Sequence, residues 1–395
     1  MKVGIVGAGQ AACTLVAELV RGQFDGEIVV FNGEPHSPYQ RPPLSKSWLA
    51  DPIETASLRL LPEPIETHSS IEWIQAQVET IEPDNGFIVT DKDRYTVDQI
   101  VLATGTRAKR LTIDGLPPEK THVIRTLDDV ISLHGALDGI ENVAILGAGF
   151  LAFELASSLD QPTRTIRVLT KGTRVLPQIS VKAADRLLDA APASMRVGVT
   201  IERYDEDTAA LITNHGSIPA DLVIMAIGAE PNILLAQACG LATDEGIPTD
   251  CYMQTQHPRV SAIGEVSLHD QPHLNQRIRI ESISEANDTA STLAKRLLGQ
   301  PEPFHATPWF WSDQGNLKLQ IAGLCARTDD ETVLIDTETE YVVIRHQSDR
   351  VTAIEAVNAA KEFMASRRLF EQGSISLKAL LAEGSVFSLL QSSRS

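Results

Sequence analysis

One short motif, occurring twice, constrains this chain more than any other feature. Lys2-Val3-Gly4-Ile5-Val6-Gly7-Ala8-Gly9-Gln10-Ala11-Ala12 joins an apolar β-branched run to G-x-G-x-x-A, and a helical pattern follows from Ala11 to Val20. Asn142-Val143-Ala144-Ile145-Leu146-Gly147-Ala148-Gly149-Phe150-Leu151-Ala152 repeats it, with a helix expected over Phe153–Leu159. In this strand–turn–helix, Gly7 permits the tight turn and Gly9 lets backbone approach a pyrophosphate. The small Ala12 allows the helix to pack on the strand, so that its N-terminus faces the phosphates. A single copy is a weak signal. Two copies in one chain predict two Rossmann units and two dinucleotides.

Composition narrows the class. At 395 residues the chain exceeds one ordinary core, and two or three domains are expected. The chain has no run of eighteen apolar residues, so no transmembrane helix is expected. The first apolar stretch is broken by glycines and lacks a basic leader, so it reads as a strand and not a signal peptide; the cytoplasm is the expected compartment. A net charge of −18 argues against nucleic acid as a partner. Cys13, Cys239, Cys251 and Cys325 are scattered, with no C-x-x-C and no metal-ligand spacing. They read as buried or incidental thiols, with neither a redox disulfide nor a metal site.

Along the chain, Glu27–Phe31 is a second strand, and Glu34 follows at roughly the spacing of an acid that hydrogen-bonds a ribose diol. Pro38-Tyr39-Gln40-Arg41-Pro42-Pro43-Leu44-Ser45-Lys46 is a loop stiffened by its prolines that carries two cations. Ile71–Val78 and Gly86–Thr90 are expected to pair antiparallel across a turn at Asp84-Asn85-Gly86. Gln99–Ala103 is a buried strand ending in Thr104-Gly105. After the second fingerprint, Ile166–Leu169 is a strand followed by Thr170-Lys171-Gly172-Thr173-Arg174. An acid there would select a 2′-hydroxyl, whereas Thr170, Lys171 and Arg174 either tolerate a 2′-phosphate or face water. Ala220–Ile227 leads to Gly228, and Val260–Ile263 to Gly264-Glu265; each glycine is a candidate for backbone approach to a cofactor. Arg279–Leu298 reads as one long helix. From Pro308 alternating strands follow (Leu317–Ala322, Thr332–Ile335, Tyr341–Arg345, Val351–Ala356), closed by helical patterns at Ala359–Phe370 and Leu377–Glu383.

With these residues in hand, the chain resembles the FAD-dependent ferredoxin reductases that serve bacterial Rieske dioxygenases and cytochromes P450, a family similar in fold to apoptosis-inducing factor. The strings Pro38–Lys46, Ala103-Thr104-Gly105, Arg125-Thr126-Leu127, Phe153-Glu154, Pro308-Trp309-Phe310-Trp311-Ser312-Asp313-Gln314 and Val357-Asn358-Ala359 carry the resemblance, which spans essentially the whole chain. It implies an α/β fold with two Rossmann-like, glutathione-reductase-like domains and a small α+β C-terminal domain. The FAD domain would be discontinuous, Met1–Leu111 plus Leu241–Gln300. The nucleotide domain, Thr112–Gly240, would be inserted into it, and the last domain would run from Pro301 to Ser395.

The resemblance further implies that Gly7, Gly9, Ala12, Glu34, Arg41, Lys46, Thr104, Gly105 and Arg125 hold FAD. Gly147 and Gly149, with Ala152, Thr170, Lys171 and Gly228 beside them, would hold NADH or NADPH. Lys46 and Glu154 would lie beside the nicotinamide and flavin N5, and Trp311 against the flavin where electrons leave. The partner would be a small Rieske or [2Fe–2S] ferredoxin feeding a dioxygenase or P450. Arg345, Arg350, Lys361, Arg367 and Arg368 are the candidate docking cations.

The departures from the family pattern gather at cofactor positions. Gly264-Glu265 replaces Gly-Asp, Ala152 replaces a third glycine, Thr170 replaces an acid and Ile283 follows Glu281-Ser282. Asp185–Val199 looks too short for a helix and return strand. They leave two alternatives open: a related flavin reductase or oxidase with a small-molecule acceptor, and a flavoprotein whose nucleotide site has decayed into a binding role.

Overall fold

Runs of valine and isoleucine too apolar to face water on either side become the central strands of two parallel sheets. The structure, a computed structural model, describes residues 1–52, 54–271 and 276–393. The chain divides into two units, Met1–Gln40 with Glu54–Arg107 and Glu230–Pro308, and Arg41–Ile53 with Ala108–Ala229 and Trp309–Ser395.

In the first unit the strand order is Val260–Ala262, Gln99–Leu102, Lys2–Val6, Glu27–Asn32, Ile71–Gln75, all parallel. One face packs under the helices Gln10–Arg21 and Ile283–Leu297 through Ala12, Leu15, Val16, Leu19, Ala290 and Leu293. The other face packs Val29, Phe31, Ile100 and Leu102 against Ile81, Ile88 and Val97 of a small antiparallel layer. Each such side chain, fully buried, contributes about 1.5–3 kcal/mol before the entropic cost of ordering it.

In the second unit the parallel order is Ser194–Arg196, Thr165–Leu169, Asn142–Leu146, Leu222–Met225, Thr121–His122. A separate antiparallel sheet orders Trp309–Gln314, Leu317–Gly323, Arg350–Val357, Tyr341–Gln347 and Asp330–Asp336. The helices Ala360–Gln372, Leu377–Glu383 and Val386–Ser392 cover it through Phe363, Leu369, Leu380, Val386 and Leu390. The α/β class, the paired Rossmann-like sheets and the small α+β domain are as the sequence predicts.

Four local expectations are corrected. Ile71–Gln75 joins the parallel sheet beside Glu27–Asn32, and only Val78–Glu82 pairs antiparallel with Phe87–Thr90. Both partners are amphipathic, so alternation alone cannot choose the neighbour. The long helix starts at Ile283 and not Arg279: the Ser282 hydroxyl accepts from the Glu285 amide at 3.1 Å and caps it. Arg279 lies outside the helix, donating to the Glu265 carbonyl at 2.9 Å. The segment Asp185–Val199 does fit a helix and a return strand, because the helix Val181–Leu188 begins before it, capped by Ser180, and the strand Ser194–Arg196 is short. The helix Val386–Ser392 went unpredicted. No helix among the described residues is long and apolar enough to cross a membrane.

Candidate functional site: two glycine turns and a buried carboxylate

The first fingerprint has the geometry that its residues dictate. Gly7 has φ +106°, and a Cβ there would collide with the Ala103 carbonyl. The helix from Gln10 has Gly9 at its N-cap, so no N-cap side chain takes up its first amides. A Cβ on Gly9 would meet nothing within 4 Å. Nearby in the same unit, Thr104 Oγ1 donates to the Asn232 carbonyl at 2.7 Å, while Asn232 Nδ2 returns a bond to the Thr104 carbonyl at 2.8 Å. Gly105 is left-handed at φ +61°. The Tyr39 hydroxyl holds Glu34 at 2.5 Å. Glu265, one methylene longer than an aspartate, accepts from the Thr106 hydroxyl at 2.9 Å, and Gly264 N–H donates to Thr289 Oγ1 at 2.9 Å. An uncapped helix end, an open glycine and an adjacent carboxylate fit a dinucleotide pyrophosphate and ribose.

The second turn repeats this design within the second unit. Gly147 has φ +113° and a Cβ would collide with the Ala226 carbonyl. Gly149 caps the helix Phe150–Ser158 without a side-chain bond, although a Cβ there would come within 3.3 Å of Gln178 Nε2, and Ala152 is fully buried. Gly228 at φ +102° faces open space. Thr170 accepts the Gly172 amide on its hydroxyl at 3.1 Å. Lys171 is exposed.

The centre of the second unit is Glu154, 6% exposed on the helix of the second fingerprint. Its Oε2 receives the Ser45 hydroxyl at 2.7 Å and lies 2.8 Å from Lys46 Nζ. Its Oε1 receives the Ser312 hydroxyl at 2.7 Å. Three sequence-distant segments thus meet on one carboxylate. Buried charge is tolerated only when paired and hydrogen-bonded, and both oxygens here are satisfied. Arg41 also enters this unit, donating to the Arg125 carbonyl at 2.7 Å.

Trp311, from the same strand as Ser312, does not join that cluster. Successive residues of a strand point to opposite faces. Ser312 reaches Glu154 and Phe310 packs on Phe150 with centroids 4.6 Å apart, whereas Trp311 stacks on Trp309 with centroids 5.5 Å apart. Arg367 lies over the Trp309 ring at 4.6 Å. Sequence reading passed over Ser45 and Ser312 as site residues although both stand inside its two strongest strings.

Two family descriptions match, pyridine nucleotide-disulphide oxidoreductase over residues 1–290 and reductase C-terminal over residues 309–388. A probable ferredoxin reductase, CtmF, of Castellaniella defragrans is 32% identical across 95% of this chain and 94% of its own. The chain belongs to the pyridine nucleotide-disulphide oxidoreductases. Among solved structures, the ferredoxin reductase for the CYP199A2 system of Rhodopseudomonas palustris is 29% identical with a TM-score of 0.92, each chain covered in full. Putidaredoxin reductase, in its covalent complex with putidaredoxin, is 27% identical with a TM-score of 0.93 over 100% of this chain and 99% of that one.

Despite the family's description, this oxidoreductase carries no disulfide; its four cysteines are free. Burial pushes the Cys13 thiol far up and the Cys325 thiol up to about 11, so both stay protonated and unreactive near neutrality. Cys251 is exposed and Cys239 half-buried, which makes them incidental and not core residues. One docking candidate is withdrawn. Arg345 is 3% exposed and lies 3.5 Å from the fully buried Glu355, so it cannot meet a partner. Arg350, Lys361 and Arg368 are exposed and Arg367 is half-exposed over Trp309.

Proposed function

We propose that this chain takes electrons from NAD(P)H through FAD to a small iron–sulfur ferredoxin that serves an oxygenase, a dioxygenase or a cytochrome P450. The observation that carries this reading is the coexistence of two glycine turns, each at a helix N-terminus with no side-chain cap, with the Lys46–Glu154 pair and four free cysteines. When bound, FAD would supply the redox chemistry between a two-electron hydride donor and a one-electron acceptor.

The chain's own residues bind and orient. Gly7 and Gly9, with Glu34, Thr104, Gly105 and Glu265, would hold the flavin nucleotide, and Arg41 and Arg125 its remaining contacts. Gly147, Gly149, Ala152 and Gly228 would hold the nicotinamide nucleotide. Lys46 and Glu154 would set the reacting rings; two hydroxyls and an ammonium hold the carboxylate in one position. Trp311 and Trp309 would line the way out for electrons.

The three-part division follows: residues 1–111 with 241–300 for FAD, 112–240 for the nucleotide, 301–395 toward the partner. The protein would work in the cytoplasm. The helix Val181–Leu188 and strand Ser194–Arg196 complete the nucleotide fold, which weakens the reading of a decayed site. Cytochrome c reduction by NADH or NADPH that depends on added [2Fe–2S] ferredoxin is the expected result. Rapid NAD(P)H consumption with oxygen or a quinone, indifferent to ferredoxin, would favour the small-molecule acceptor.

A further inference from the structure

We infer that this chain carries a subsite for the 2′-phosphate of NADPH, formed by Lys171 and Arg196 at the carboxyl ends of two adjacent strands. The inference rests on reading the second fingerprint as the nicotinamide-nucleotide site and goes on to name which nucleotide it takes.

In a sheet of this kind the adenosine ribose is met just beyond the second strand, where an acid hydrogen-bonds a 2′-hydroxyl and a cation accommodates a 2′-phosphate. The second strand is Thr165–Leu169, paired in parallel with Asn142–Leu146 of the fingerprint. Thr170 stands at the acid's place. On its other side the neighbour of Thr165–Leu169 is Ser194–Arg196, with Leu169 opposite Arg196.

 Parallel neighbours lie about 4.8 Å apart. The ladder continues past the strands: Thr170 N–H donates to the Arg196 carbonyl at 3.0 Å, Val199 N–H to the Thr170 carbonyl at 2.9 Å, and Gly198 N–H to the Gly172 carbonyl at 2.9 Å. Lys171 and Arg196 are therefore fastened to one another's backbone neighbourhood.

Their charges are uncommitted. Both are exposed, and among the described residues neither has an ion-pair or hydrogen-bond partner for its side chain. Neither Thr170–Arg174 nor Arg196–Val199 contains an acid, in a chain whose net charge is −18. Arg174, the other cation of the loop, is spent on structure: its guanidinium donates to the carbonyls of Val175, Leu176 and Ile179, at 2.6 Å for the last. That leaves one ammonium and one guanidinium uncommitted on adjacent strand ends, flanking the acid's place that Thr170 fills. Arginine and lysine are the side chains that make charge-assisted bonds to phosphate.

Calorimetry on the FAD-loaded protein separates the two nucleotide classes without turnover. The probes are 2′,5′-ADP, which carries the 2′-phosphate, and 5′-AMP, which lacks it. We expect 2′,5′-ADP to bind at least about tenfold more tightly, and Lys171→Ala or Arg196→Ala each to weaken it about tenfold while leaving 5′-AMP unchanged. Arg196→Lys should retain most of the preference. Equal affinities for the two probes, or a preference that survives the double variant, would overturn the subsite. If NADH bleaches the flavin while 2′,5′-ADP shows no advantage, the subsite is wrong and the hydride function stands. If neither NADH nor NADPH bleaches it, the function is wrong, and the calorimetry still decides the subsite by itself.

Discussion

Glu154 shows how much one side chain organises. Its carboxylate ties the proline-stiffened loop, through Ser45 and Lys46, to the aromatic strand, through Ser312, and it does so from the helix that opens the second nucleotide turn. Glu154→Gln leaves the shape but strands a half-buried ammonium. We expect flavin reduction by the nucleotide, followed by anaerobic stopped flow, to slow by about tenfold or more, the cost of one lost charge-assisted contact. Ser312→Ala removes a donor from a buried charge and should cost about 1.5–3 kcal/mol in urea unfolding. Lys46 and Glu154 were legible in the sequence as family words. The resemblance set them side by side, as they are, but not the two serines, because Ser45 and Ser312 lie 109 and 158 residues from the carboxylate they serve. Trp311 was legible as an aromatic of the same string, but its face was not: only the strand's register sends it away from Glu154 and onto Trp309.

At the scale of the element, the two turns make a sharp distinction between a glycine kept for the chain and one kept for a ligand. Gly7 has a left-handed φ and a neighbouring carbonyl where a Cβ would sit; Gly9 has neither obstacle. Gly7→Ala should therefore destabilise even the apoprotein, by about 1–3 kcal/mol. Gly9→Ala should leave the apoprotein's melting temperature essentially unchanged while sharply reducing FAD retention on gel filtration. Equal effects of the two on the apoprotein would show that Gly9, like Gly7, is required by the chain and not by a ligand. Both turns were legible because the motif is local, and its strand, turn and helix are contiguous. One error occurred where the deciding contact is remote, the other at a local cap. Ile71–Gln75 takes its place from Glu27–Asn32, and the helix Ile283–Leu297 takes its start from one serine hydroxyl.

Across the second unit, a clasp joins the nucleotide fold to the C-terminal sheet. Fully buried Glu355 accepts the Ser180 amide at 3.0 Å and lies 3.5 Å from Arg345 Nη1, while Glu331 accepts the Val181 amide at 2.9 Å. Burial pushes the Glu355 carboxyl upward, opposed by the Ser180 donors and Arg345. Removing one partner of a buried pair leaves an uncompensated charge, so Glu355→Ala should lose about 3–5 kcal/mol of stability in urea unfolding. No sequence pattern announces this pairing, which depends on the tertiary approach of two segments 175 residues apart. The remaining cations are the place to test docking. Arg367→Glu with Arg368→Glu should raise the apparent ferredoxin Michaelis constant about tenfold and leave ferricyanide reduction intact, as expected for charges that steer an acidic partner. Unchanged ferredoxin kinetics would place the interface elsewhere.

Electron delivery by this chain depends on a working path for hydride from nicotinamide to flavin. Anaerobic absorbance of the purified protein, titrated separately with NADH and NADPH, tests it most directly. The flavin band is expected to bleach with nucleotide, and at lower concentrations of NADPH than of NADH. A yellow protein that neither nucleotide bleaches would contradict it, leaving a flavoprotein whose second fingerprint no longer delivers electrons.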